Sequence, residues 1–98
     1  MESAYEECLC YEFVKSDIIF ERQRPVPIYY KNVCLDCGYR LDIVAQNEII
    51  LELKSVETVL PIHHAQILTY MKLANVHVGL LINFNSLIVS KNIKRFIL

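Results

Sequence analysis

The chain of 98 residues has no apolar run that approaches the ~18 residues needed to span a bilayer, which argues against a transmembrane helix. Its opening, Met1-Glu2-Ser3-Ala4, lacks the basic and apolar regions of a secretory signal, so a soluble, cytoplasmic protein is expected. No linker, repeat or low-complexity stretch interrupts it, which leaves one domain over residues 1–98 with one modest core. A surplus of charge of one sign is also missing: ten Lys and Arg stand against eleven Asp and Glu, for a net charge of −1. Proteins that grip phosphate backbones usually carry a basic surplus, so this balance counts mildly against nucleic acid. The objection is limited, because a metal site needs carboxylates that cancel basic charge in the sum. Arg22 and Arg24, or Lys91, Lys94 and Arg95, can still form local basic patches.

What the chain does have is apolar side chains, 54% of the total, more than a globular fold requires and too many for a disordered one. So high a fraction in so short a chain points to some surface buried against a partner, such as a second copy in a homodimer. Four cysteines occur, as Cys8-Leu9-Cys10 and Cys34-Leu35-Asp36-Cys37. The second pair has the spacing of a zinc half-site. The first is a poor chelate, because residues two apart on a helix project about 200° from one another. Buried free thiols are the better reading, and an intracellular setting argues against disulfides.

Tyr5, Leu9 and Phe13 recur at four-residue spacing and predict a helix over 2–15, ended by Ser16-Asp17. Residues 18–24 alternate as a strand, and Pro25 and Pro27 mark an edge or a break. Ile28 to Tyr30 is extended, Lys31-Asn32 is a turn, and Val33 to Leu35 follows. Tyr39 to Ala45 and Ile49 to Lys54 read as two strands around Gln46-Asn47-Glu48. Pro61 suits the first turn of a helix running to about Ala74. His77 to Phe84 reads as a buried strand ended by Asn83, Asn85 and Ser86, and Ile93 to Leu98 as either a short strand or a helix. Helix, three or four antiparallel strands, helix, strand makes an α/β sandwich, a mixed sheet flanked by helices.

The hairpin over residues 39–54 carries the chemistry. Glu52 and Lys54, two apart on a strand, share one face, while Ile49, Leu51 and Leu53 point the other way. With a three-residue loop, Asp42 falls opposite Glu52 and Arg40 opposite Lys54; a two-residue loop would turn Asp42 to the other face. Two neighbouring carboxylates suit Mg²⁺ or Mn²⁺, with the Leu53 carbonyl as a third oxygen ligand. Such a metal polarises a phosphate and lowers the pKa of a bound water, and Lys54 beside it can orient that water or stabilise developing charge. On spacing alone, a solvated strand face with cross-strand ion pairs is the simpler account. The second helix shifts the balance, because His63, Gln66 and Tyr70 lie on one of its faces. Glu2 and Glu6 do the same on the first helix.

The segments Glu2-Ser3-Ala4-Tyr5-Glu6, Leu35 to Asp42, Glu52 to Glu57, Pro61 to Tyr70 and Gly79 to Asn85 together resemble, in one order over essentially the whole chain, the GxxExxY proteins, regarded as a branch of the PD-(D/E)XK nuclease superfamily. The resemblance implies an αβββαβ restriction-endonuclease-like core and a metal-dependent nuclease using Mg²⁺ or Mn²⁺, with DNA as the nucleic-acid partner. It implies that Asp42 is the motif aspartate and a metal ligand, that Glu52 and Lys54 are the (D/E)xK pair, and that Glu6, in preference to Glu2, completes the metal shell. It also implies that Gln66 and Tyr70 support the site and contact DNA, where Arg40 would join them. The family signature places glycine three residues before its glutamate; only Met1 precedes Glu2 here, so the start reads as shortened. The alternative is a non-catalytic nucleic-acid-binding or DNA-repair accessory module on the same fold. A third possibility, a protein-interaction module, follows from the apolar surplus.

Overall fold

A computed structural model describes residues 2–36, 38–85 and 92–98; the readings that involve Cys37, Ser86 and Lys91 lie outside them. Helix α1 (Glu2–Lys15) is followed by strands β1 (Phe20–Pro25), β2 (Ile28–Tyr30), β3 (Val33–Leu35), β4 (Arg40–Ala45) and β5 (Ile49–Lys54), then α2 (Pro61–Ala74), β6 (Val78–Asn83) and β7 (Ile93–Ile97). Five strands form one sheet in the order β1-β4-β5-β6-β7, and β2 and β3 pair apart from it. Within the large sheet only β5 and β6 are parallel, joined by the crossover that contains α2. The expected α/β sandwich with a mixed sheet is therefore present. The open choice at the C-terminus resolves as a strand, β7, antiparallel to β6. Among the described residues no helix is long and apolar enough to cross a membrane.

The helices end where their residue chemistry predicts. Asp17 adopts a left-handed φ of 57° after α1, and Ile18 N–H closes the end by donating to the Phe13 carbonyl at 2.9 Å. Pro61 opens α2, where Leu60 has no side-chain cap to offer; His63 Nδ1 accepts from Leu60 N–H at 2.9 Å instead. Asn75, left-handed at φ 56°, ends the helix.

Strand β5 is central and covered on both faces, which is why Ile50 to Leu53 are all buried. On one side Leu41, Val44, Ile50 and Leu81 pack against Ile67, Tyr70 and Met71 of α2. On the other, Ile43, Leu51, Leu53 and Ile82 pack against Cys10, Leu9 and Phe13 of α1. Gly79 of β6 lies so close under α2 that a Cβ there would meet Met71 Sδ at 2.7 Å and Ile67 Cδ1 at 3.1 Å. The turn at 46–48 has three residues, with Gln46 and Asn47 at φ 52° and 55°, and sets the register Ala45↔Ile49, Val44↔Ile50, Ile43↔Leu51. That offset is the three-residue alternative of the two open in the sequence, and it brings Asp42 level with Glu52.

Strand β4 is irregular next to Asp42. The β1–β4 ladder pairs Arg22 with Ile43 and Arg24 with Leu41 but skips the Gln23–Asp42 step, where Gln23 is left-handed at φ 51°. The alternation of β4 breaks there: Leu41 buries toward α2, whereas Ile43 buries toward α1.

Candidate active site

The β4–β5 ladder ends at Ile43↔Leu51, and two carboxyl side chains take over the backbone donors beyond it. Leu53 N–H donates to Asp42 Oδ2 at 2.8 Å, and Asp42 N–H donates to Glu52 Oε1 at 3.3 Å. Each carboxyl is thus pinned by the strand that carries the other. Glu52 is only 3% exposed; burial first, and the neighbouring Asp42 charge second, push its pKa up to about 8. Burial also raises Asp42, opposed by the Leu53 N–H bond and the Lys54 charge. Burial and like charge thus oppose joint ionisation of the two carboxyls, and a cation beside them favours the doubly ionised form.

Lys54 follows Glu52 on the same face of β5, and its charge favours the ionised form of both carboxyls. It lines a cleft of about 670 Å³ between α2 and the β2–β3 side of the molecule, together with His63, Gln66, Tyr70, Tyr39 and Ile28. Gln66 Nε2 donates to Tyr70 Oη at 3.1 Å. Burial raises the Tyr70 pKa, and the negative charges of Glu52 and Asp42 reach its hydroxyl and add to the shift. The helix face predicted from His63, Gln66 and Tyr70 therefore does converge on the hairpin. Lys54 is anchored in turn by the end of β6. Asn83, its register partner, is buried and brackets Val56, accepting from its N–H at 3.1 Å and donating to its carbonyl at 2.8 Å, while Phe84 N–H donates to the Lys54 carbonyl at 2.8 Å.

A neighbouring pair of acidic residues, Glu52 buried and Asp42 half-buried, and a lysine at the spacing Glu52-Leu53-Lys54, on this sheet, have a counterpart among known proteins: the sequence model of the PD-(D/E)XK nuclease superfamily matches residues 1–96. The chain belongs to this superfamily. No curated protein and no solved structure matches it at a significant level. PD-(D/E)XK membership suggests nuclease activity, and these enzymes generally use divalent metals.

The donor set fits such an ion in kind. Asp42 and Glu52 offer oxygen ligands, and Leu53 lines the same small cleft as Asp42, about 150 Å³ beneath α1, with Glu2, Ser3, Glu6 and Gln23. Among the described residues, however, no three Asp, Glu, His or Cys side chains form a ready-made ligand cluster. Glu6, expected as a further ligand, is buried beside Asp42 with both oxygens engaged. Arg22 reaches Oε2 at 2.7 Å and Gln23 Nε2 reaches Oε1 at 2.8 Å. Glu2 is exposed at the rim. Arg40 departs from its expected place. The β4–β5 strands have parted before it, so it pairs with Pro25 of β1 rather than Lys54, and its guanidinium turns to Asp36 at 3.4 Å.

The spacing of residues along the chain gave no sign of Asn83, of the Arg22–Gln23 grip on Glu6 or of the ring of Tyr39 in the cleft wall. The first two are contacts between residues 16 to 27 apart in sequence, which no periodicity encodes. Among the cysteines, Cys10 is buried while Cys8 and Cys34 are exposed as free thiols, and Cys37 of the CxxC pair lies outside the described residues.

Proposed function

We propose that the protein is a metal-dependent nuclease of the GxxExxY branch that hydrolyses phosphodiester bonds, with DNA as substrate and Mg²⁺ or Mn²⁺ as its ion. One observation carries this reading: the pair of half-buried Asp42 and buried Glu52, each carboxyl held by a backbone N–H of the other's strand, with Lys54 beside it. Asp42, Glu52 and the Leu53 carbonyl would hold the ion, whose chemistry is to polarise a phosphate and acidify water. Glu6 would join them only by releasing Arg22 and Gln23.

The residues of the chain then divide the work. Glu52 gives up its proton on ion binding, so affinity rises with pH up to about 8. Lys54 is the donor on the cleft side of the pair: it orients the attacking water and stabilises negative charge developing on the phosphoryl oxygens. Water oxygen bonds to phosphorus and releases a proton to solvent, the phosphorus bond to the leaving ester oxygen breaks, and that oxygen is protonated from solvent. Tyr70 and Gln66, fixed to each other, offer their remaining hydrogen-bonding capacity to the nucleic-acid backbone. Arg40, held by Asp36, is placed for the approach to the site rather than its centre. Three free thiols among the described residues suit a reducing, cytoplasmic setting.

Calorimetric titration of Mn²⁺ or Mg²⁺ into the wild type, Asp42→Ala and Glu52→Ala tests the site. Binding by the wild type that both variants lose supports it, and metal-dependent cleavage of DNA completes the case. No binding at millimolar metal with DNA present would sink the catalytic reading. The engagement of Glu6 by Arg22 favours a second reading, a binding or repair-accessory module; there Asp42→Ala would strengthen binding to phosphate backbones.

A further inference from the structure

The cleft beside the carboxyl pair is walled in a way that a duplex-gripping groove is not. Among its described lining residues Lys54 is the one lysine or arginine, whereas proteins that hold duplex DNA neutralise roughly 6–10 phosphates. What the cleft presents instead is rings. Tyr39 is 44% exposed, with its ring centroid 6.0 Å from that of Tyr70 at the inner end. Ile28 enters the wall from β2, and the hairpin face it belongs to continues outward through Leu35, Tyr30 and Val33, all exposed. Tyr30 is 62% exposed, with the Lys31 ammonium 5.4 Å from its ring centroid, so the wing ends on a ring with a cation beside it. This two-stranded wing forms no ladder with the main sheet, and such exposed large side chains on a protein this small call for an occupant.

The occupant must contact Lys54 at one end, stack on rings along its length, and need few cations. Unpaired nucleotides fit best: a single strand carries about half the charge of a duplex per unit length, and stacking on aromatic rings holds each base without readout of its sequence. Base-paired nucleotides keep their base faces stacked inside the duplex and offer such a wall phosphates, sugars and groove edges instead. We infer that the cleft and the β2–β3 wing bind single-stranded nucleic acid through Tyr39 and Tyr30, and feed it to the Asp42–Glu52–Lys54 site. This deepens the nuclease reading and rests on it for the cleavage step, although not for the binding itself.

The test is fluorescence anisotropy of the full chain in EDTA, with end-labelled oligothymidylate and a blunt duplex of equal length. Tyr39→Ala, Tyr39→Phe and Tyr30→Ala are compared with wild type, and circular dichroism checks their fold. Tyr30 is exposed enough that its removal leaves the core intact. The single strand is expected to bind at least tenfold tighter than the duplex. Each alanine variant should lose roughly 5- to 150-fold, the range for one stacked base, and Tyr39→Phe should keep wild-type affinity. Equal or tighter duplex binding, or alanine variants that bind like wild type, would overturn the inference. Cleavage assays with Mn²⁺ separate the two ideas. Ring-independent cleavage of duplex refutes this inference and leaves the nuclease standing. Ring-dependent binding of single strand without cleavage upholds it and removes the nuclease.

Discussion

Replacing Glu52 with Gln should make the metal-free protein more stable at neutral pH. The carboxyl of Glu52 has an ordinary value of 4.5 and is pushed to about 8 by burial and by Asp42. Its pKa is raised on folding, so the native state holds a proton that the unfolded chain has released throughout that window. Stability is therefore undiminished below about pH 4.5, falls as pH rises, and levels off above about pH 8. Each pH unit in between costs about 1.4 kcal/mol. Near pH 7 the cost is on the order of 3 kcal/mol, a large part of the ~5–15 kcal/mol that holds a domain together. A glutamine cannot ionise, is nearly isosteric, and keeps an oxygen for the Asp42 N–H. Urea unfolding in EDTA at about pH 5, 7 and 8.5 should show wild type and Glu52→Gln converging at the acid end. The variant should pull ahead as pH rises. Added Mg²⁺ should restore wild type alone, because ion binding selects the ionised native pair. Parallel stability curves for the two proteins from about pH 5 to 8.5 would refute this assignment, since no proton uptake on folding could then reside at Glu52.

Lys54→Ala should leave calorimetric Mn²⁺ binding within a few-fold of wild type and lower the cleavage rate by roughly 10²–10³, the cost of removing one charge-stabilising donor. Asn83→Ala removes the bracket around Val56 and leaves its backbone polar groups without side-chain partners, so about 2–3 kcal/mol of stability should be lost in denaturant titration. Gly79→Ala forces a methyl against Met71 and Ile67 under α2 and should cost about 1–3 kcal/mol in the same assay, with metal binding unchanged.

The parts of this molecule that were legible in its sequence are those set by local chemistry. Proline at 61 opens α2, which runs to Ala74 as expected, and the Gln46-Asn47-Glu48 turn, one of two loop lengths the sequence allowed, sets the hairpin register. From that register alone Asp42 comes level with Glu52, and Lys54 onto the same face as Glu52. What could not be read depends on where strands separate. Nothing in a glutamine signals the left-handed backbone of Gln23, yet that step breaks the alternation of β4. For the same reason Arg40 could not be placed: extrapolating the ladder past Asp42 assumes that it continues, and it does not. The strand β7 has exposed Ile93, Lys94, Arg95 and Ile97, so no buried stripe marked it as strand or helix.

The separation of β4 from β5 is also what makes a site of two acidic residues. In a continued ladder, backbone carbonyls would accept the N–H groups of Asp42 and Leu53, and the carboxyls would be free to turn to solvent. Here the carboxyls accept those N–H groups, which fixes them in one geometry at the mouth of the sheet. Fixing them there buries Glu52 and raises its pKa, so the order that prepares a site for a cation also makes its absence costly. A three-residue turn is a condition of this arrangement. One residue deleted from Gln46 to Glu48 would carry Asp42 across the sheet, and the two carboxyls would no longer meet.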